Sequence, residues 1–208
     1  MCFSATASFV AGAALSAAGV VILSEAKTKK DLPIASIPLL FGVQQIIEGG
    51  VWLSFQYGFS FLNQIATYSF VFFGYVVWPI LVPFSVGLLE TDILRKKILH
   101  VFQFVGTTIG LYLLYFIVQN PITSQIINKS IAYSMPEKHG LLLVGMYVSA
   151  TCVSCLFSSH RIINLLGGLA ILSLAIAYYF FNASYVSVWC FLAAILSIVV
   201  YLYFKKRM

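Results

Sequence analysis

The stretch IASIPLLFGVQQIIEGGVWLSF, residues 34–55, carries a single formal charge, that of Glu48. A run of about 20 apolar residues is long enough to cross a hydrocarbon core of roughly 30 Å. In lipid the backbone must satisfy its own polar groups, so such a run reads as a helix. An ionisable side chain inside it is costly to keep there, which makes Glu48 a candidate functional residue from the start.

The rest of the chain agrees with that reading. Of 208 residues, 61% are hydrophobic and 9% charged, against about 25% charged in an ordinary soluble domain. The fold class predicted is all-α, a polytopic integral membrane protein forming one membrane-embedded helical domain over residues 1–208. Seven apolar windows are expected to span: 5–24, 34–55, 65–89, 98–118, 141–157, 165–181 and 185–204. A β-barrel is excluded by the length and continuity of these runs.

Basic residues in short loops mark the cytoplasmic side. Lys27, Lys29, Lys30, Arg95, Lys96, Lys97, Arg161, Lys205, Lys206 and Arg207 all fall at alternate window ends, and only Lys129 and Lys138 fall opposite. This predicts an N-terminus outside and a C-terminus inside. It also explains the net charge of +6 without a nucleic-acid partner; the partner expected is the lipid bilayer. No basic segment precedes the first window, so that window reads as retained rather than as a cleaved leader. Its small residues, among them Gly12 and Gly19, suit close helix packing and predict a central position for helix 1.

Within the second window, Gln44, Glu48 and Trp52 recur at i, i+4 and i+8 and share one face, with Gln45 beside them. Glu48 falls about 5 Å outward of the midplane at about 1.5 Å per residue. No Lys or Arg lies in any window, so the carboxyl must keep its proton or find amides, hydroxyls, water or a small ion. In the third window Trp78-Pro79 and Pro83 predict a kink that leaves space beside the polar face. Tyr75 and Trp78 are its candidate walls. The ligand-binding set is thus Gln44, Gln45, Glu48, Trp52, Tyr75 and Trp78.

The opening Met1-Cys2-Phe3-Ser4-Ala5, with Ser8-Phe9 behind it and Glu48-Gly49 and Trp52-Leu53 further on, resembles a family of uncharacterised bacterial integral membrane proteins, a domain of unknown function. The resemblance implies a membrane protein of the bacterial cytoplasmic membrane and brings no activity with it. It adds Cys2 and Ser4 to the positions of interest.

Other chemistry is sparse. Among His100, His139 and His160 no metal-ligand spacing occurs, and no metal site is expected; nothing indicates a cofactor. Cys152, Cys155 and Cys190 read as buried packing thiols. Cys2 and His139 both fall on the outer side, where an imidazole beside a thiol would make a nucleophile. Residues 122–131, with Ile122, Ile126, Ile127 and Ile131 on one helical face, predict a short interfacial helix able to cap an outward-facing cavity. Three classes remain open: a transporter, channel or receptor for a small molecule, ion or proton; an intramembrane enzyme using Cys2, His139 and Glu48; and a structural or interaction protein.

Overall fold

The computed structural model describes residues 4–134 and 140–205. These form seven helices and one hairpin: α1 Ala5–Ser24, α2 Leu32–Tyr57, α3 Ser60–Leu89, α4 Ile93–Gln119, β1 Thr123–Ile127, β2 Ser130–Ser134, α5 Leu142–Leu156, α6 Arg161–Phe180 and α7 Asn182–Lys205. Six of the helices are long and apolar enough to cross a membrane; α5 is equally apolar but shorter. Large apolar side chains such as Phe61, Phe104 and Val118 cover the outer surface of the bundle, each more than two thirds exposed. Water would penalise that surface heavily, whereas lipid is its natural solvent. The chain is a membrane protein.

Helix α2 is the hub, touching α1, α3 and α7. Helix α1, expected to be central, is peripheral instead. It packs almost entirely along α2, and Val10, Val20 and Val21 on its far side are exposed. Its small residues explain why: they draw one partner very close rather than collecting several. At Gly19 an added Cβ would stand 2.5 Å from the Leu39 nitrogen of α2.

Helix α3 is interrupted by a π-helical turn, Phe73–Val77, immediately before Trp78 and Pro79. Pro83 has no N–H to offer the Pro79 carbonyl, so that oxygen is released from the helix ladder. Gly106 of α4 closes over it, and a Cβ there would lie 1.9 Å from the oxygen. A second π-helical turn, Ser149–Val153, interrupts α5. The two distorted helices are tied together by the Tyr147 hydroxyl, which donates to the Gly74 carbonyl. Turns of this kind concentrate where a bundle needs irregular geometry.

Residues 122–131 do not form the interfacial helix that their isoleucine spacing suggested. Thr123–Ile127 and Ser130–Ser134 pair antiparallel, with Ile126 opposite Ile131. Asn128 and Lys129, at φ 49° and 61°, make the two-residue turn. Positive φ at both positions matches the right-handed twist of the strands. β-Branched and hydroxyl residues favour the pleated form over helix, and the hairpin has a bed to lie on. Ile131 packs with Val51 and Ala66, Tyr133 stacks on Phe70 at 4.5 Å, and Thr67 donates to Ser124 at 2.8 Å.

At the opposite, basic end, the α5–α6 loop is held by Glu90, which accepts from the Ser159 backbone at 2.7 Å and its hydroxyl at 2.8 Å. Arg95 and Asn164 donate to the carbonyls that α5 leaves unpaired there, including those of Leu156 and Ser158. These contacts supply the partners that a helix C-terminus lacks.

Candidate functional site

The inward face of α2 changes character along its length. Toward the basic end it presents Ile34, Ile37 and Phe41; one turn further come Gln44, Gln45 and Glu48, then Trp52. Gln44, Gln45 and Glu48 are each wholly buried, at 0% exposure. Helical periodicity puts all seven on one stripe, of which sequence spacing had picked out Gln44, Gln45, Glu48 and Trp52.

Its contacts come from distant elements. Ser187 of α7 donates to Glu48 Oε1. Trp78 of α3, itself buried, donates from Nε1 to Gln44 Oε1 at 2.9 Å and lies flat on Phe41 at 3.8 Å. Several polar atoms have no partner among the described residues: Ser8 Oγ, both amide atoms of Gln45, and Trp52 Nε1, whereas the remaining Gln44 amide hydrogens face the Cys190 thiol. Each buried polar atom left unpaired costs about 1–3 kcal/mol, so a cluster of them on one face is abnormal for packing alone.

The row is closed at both ends. Toward the hairpin, Trp52 packs against the Val51, Ala66 and Ile131 cluster, and Ser130 of β2 bonds to Ser184 of α7 at 2.6 Å. The segment expected as a capping helix lies over this end as a hairpin. Toward the basic end the floor is made by Trp78, Gln44 and Cys190; a Cβ on Gly74 would be 3.9 Å from both Cys190 Sγ and Gln44 Nε2.

Beneath that floor lies a separate cavity of about 70 Å³, walled by Ile37, Trp78, Cys152, Cys155, Trp189 and Ala193, among others. It occupies the basic half of the bundle, whereas the expected cavity was to open outward from Glu48. The space does lie beside Trp78, but toward Ile37 and Cys152 rather than at Glu48. Cys152, Cys155 and Cys190 are free and buried, in keeping with the packing role expected of them, and all three line this cavity.

Tyr75, the remaining wall candidate, is half-buried and turned to Tyr147, ring centroids 6.4 Å apart, and to the Val71, Val76 and Ile117 cluster. Ser4 caps α1, its hydroxyl accepting from the Ala7 N–H at 3.2 Å. His160 lies against the Leu89 carbonyl and the Tyr203 ring. Among the described residues no group of His, Cys, Asp or Glu has the arrangement of a metal site. Cys2 and His139, the thiol and imidazole of the enzymatic alternative, lie outside the described residues.

The whole chain, residues 1–208, matches one protein family. It belongs to DUF6629, a family of unknown function. The family expected from Met1–Ala5 and the Glu48–Leu53 segment is thus the right kind. No curated protein matches this DUF6629 chain, and no solved structure does.

Ser187 was invisible to sequence reading, because one serine among apolar residues carries no period. The cavity was equally hidden. Its walls come from five helices, and only their packing creates it.

Proposed function

We propose that this DUF6629 chain is a transporter, channel or receptor of the bacterial cytoplasmic membrane that takes a small molecule, ion or proton at Glu48. In this reading all seven helices lie in the bilayer, with the N-terminus outside and the basic loops inside. The observation that carries it is the wholly buried Gln44, Gln45 and Glu48 row, in which both Gln45 amide atoms lack a partner among the described residues. Packing would select apolar residues or a fully paired network at such positions. Orphaned donors and acceptors beside a carboxyl are what a site looks like when its guest supplies the missing bonds.

Native mass spectrometry of protein released from nanodiscs, together with proton uptake into proteoliposomes carrying an internal pH dye, tests this. The wild-type chain is expected to retain a bound non-protein mass or to conduct protons. Glu48→Gln, which keeps shape and hydrogen bonding, should lose that property while staying folded. If the variant and the wild type behave identically in both assays, the Glu48 reading fails.

A further inference from the structure

The cavity beneath the polar row is dry by construction. Its polar lining groups are already committed: Thr151 donates to the Tyr147 carbonyl at 2.9 Å, Ser197 to the Ala194 carbonyl at 2.6 Å, and Tyr147 to Gly74. A space of about 70 Å³ is large enough for several water-sized groups, yet a cavity lined this way holds apolar matter rather than water. Its upper wall is the floor of the polar row. Trp78 belongs to both, its ring lining the cavity and its N–H held by Gln44. Cys190 does too: it lines the cavity, stands beside Gln44 Nε2 and is one helical turn from Ser187, the partner of Glu48.

One stripe of α2 therefore runs from Ile34, Ile37 and Phe41, which line the cavity, into Gln44, Gln45 and Glu48. The apolar part, from residue 34 to 41, rises about 10 Å at about 1.5 Å per residue. Resting on the reading of Glu48 as a ligand site, we propose that the ligand is a neutral amphiphile. Its hydroxyl or carbonyl head is held by Gln44, Gln45 and Glu48, and its short hydrocarbon tail passes Trp78 and Cys190 into the cavity. The unpartnered Gln45 amide offers a donor and an acceptor, which suits an uncharged head. No cationic side chain lies in α2 to pair with an anionic one. The tail requires a displacement of the Trp78 indole or the Cys190 thiol, and the π-helical turn directly before Trp78 supplies the backbone latitude.

The three tryptophans of the chain, Trp52, Trp78 and Trp189, flank the two compartments and report on each. Straight-chain alkanols from butanol to dodecanol, brominated on the terminal carbon, are titrated into nanodisc-embedded Trp52→Phe protein. The bromine quenches an indole it touches. Saturable quenching of Trp78 and Trp189 is expected, with an optimum chain length, and about tenfold weaker for the bromoalkane lacking a hydroxyl, the worth of one or two hydrogen bonds. Ala193→Leu, which fills the cavity, should abolish it. Ala170→Leu is the second filling variant should the first fail to fold.

In Trp189→Phe protein, an alkanol brominated beside its hydroxyl should quench Trp52 and Trp78 and bind about tenfold more weakly after Glu48→Gln. Head quenching that saturates while tail quenching stays linear with lipid partition overturns the amphiphile proposal and leaves the Glu48 pocket standing. Tail quenching that saturates with a head arm indifferent to Glu48→Gln also overturns it, and removes the alkanol as evidence for that pocket. Linear quenching in both arms overturns it outright, with the pocket then judged by the co-purified mass and proton uptake alone.

Discussion

Ser187 and Glu48, 139 positions apart in sequence, meet in a buried hydrogen bond that ties α7 to α2. The contact joins the last helix of the bundle to the hub and fixes the orientation of the acid. Ser187→Ala should therefore lower the unfolding free energy by about 1–3 kcal/mol, since it strips a donor from a buried acceptor. Thermal unfolding in nanodiscs measures this. An unchanged midpoint would show that the hydroxyl contributes nothing to holding α7.

Gly106 admits no side chain. With the Pro79 oxygen 1.9 Å from a would-be Cβ, Gly106→Ala must push α4 away from α3, and overpacking of this kind costs about 1–3 kcal/mol or more. Gly168, whose added Cβ would meet nothing within 4 Å, is the control. Gly168→Ala should be neutral or slightly stabilising in the same unfolding assay. Equal effects at the two positions would contradict the helix spacing described.

Acid should loosen the basic end. Burial raises the carboxyl of Glu90, but the N–H groups of Asp92, Ser159 and Thr91 and the Ser159 hydroxyl outweigh it, and the group is held below its ordinary value of 4.5. A folded-state value that is depressed stabilises the fold fully above the unfolded value and ceases to do so as pH falls through the folded one. Stability measured downward from pH 5 should drop in the wild type and drop less in Glu90→Gln. Parallel profiles would remove Glu90 as the acid-sensitive group.

Fusions of a sidedness reporter after Lys97 and after Gly140 should register opposite compartments, Lys97 inside. Matching signals would overturn the orientation that the basic loops imply.

Hydropathy made the helices legible, to the residue at α1, where window 5–24 matches, and less closely elsewhere: 34–55 lies within Leu32–Tyr57, and windows 65–89 and 98–118 start inside Ser60–Leu89 and Ile93–Gln119. Long apolar runs leave the backbone no alternative in lipid, so periodicity and length suffice. The same argument placed Gln44, Gln45 and Glu48 on one face. What composition does not encode is who stands opposite. Small residues in α1 announced close packing without saying that one neighbour would absorb it all, and the isoleucines of 122–131 suited a helix until the Asn128-Lys129 turn and its bed on Val51 and Phe70 decided for strands. The cavity needed even more, since Phe41, Trp78, Cys152 and Trp189 come from four different helices.

Helix α5 runs only from Leu142 to Leu156, which at about 1.5 Å per residue is roughly 22 Å of rise. Its neighbours α3 and α4 are several turns longer. A bilayer core of roughly 30 Å cannot be matched by both lengths at once. In the proposed arrangement, with α5 also in the bilayer, the lipid along its edge dimples inward, or headgroups and water descend beside the Tyr147 and Ser149 turn. Each ångström of such mismatch costs a fraction of a kcal/mol, so acyl-chain length becomes a mechanical load applied at one edge of the bundle. That load falls on the helix whose Tyr147 clamps Gly74 and whose thiols wall the cavity. In that arrangement membrane thickness acts on the wall of the cavity through the shortest helix, and thin bilayers relax it.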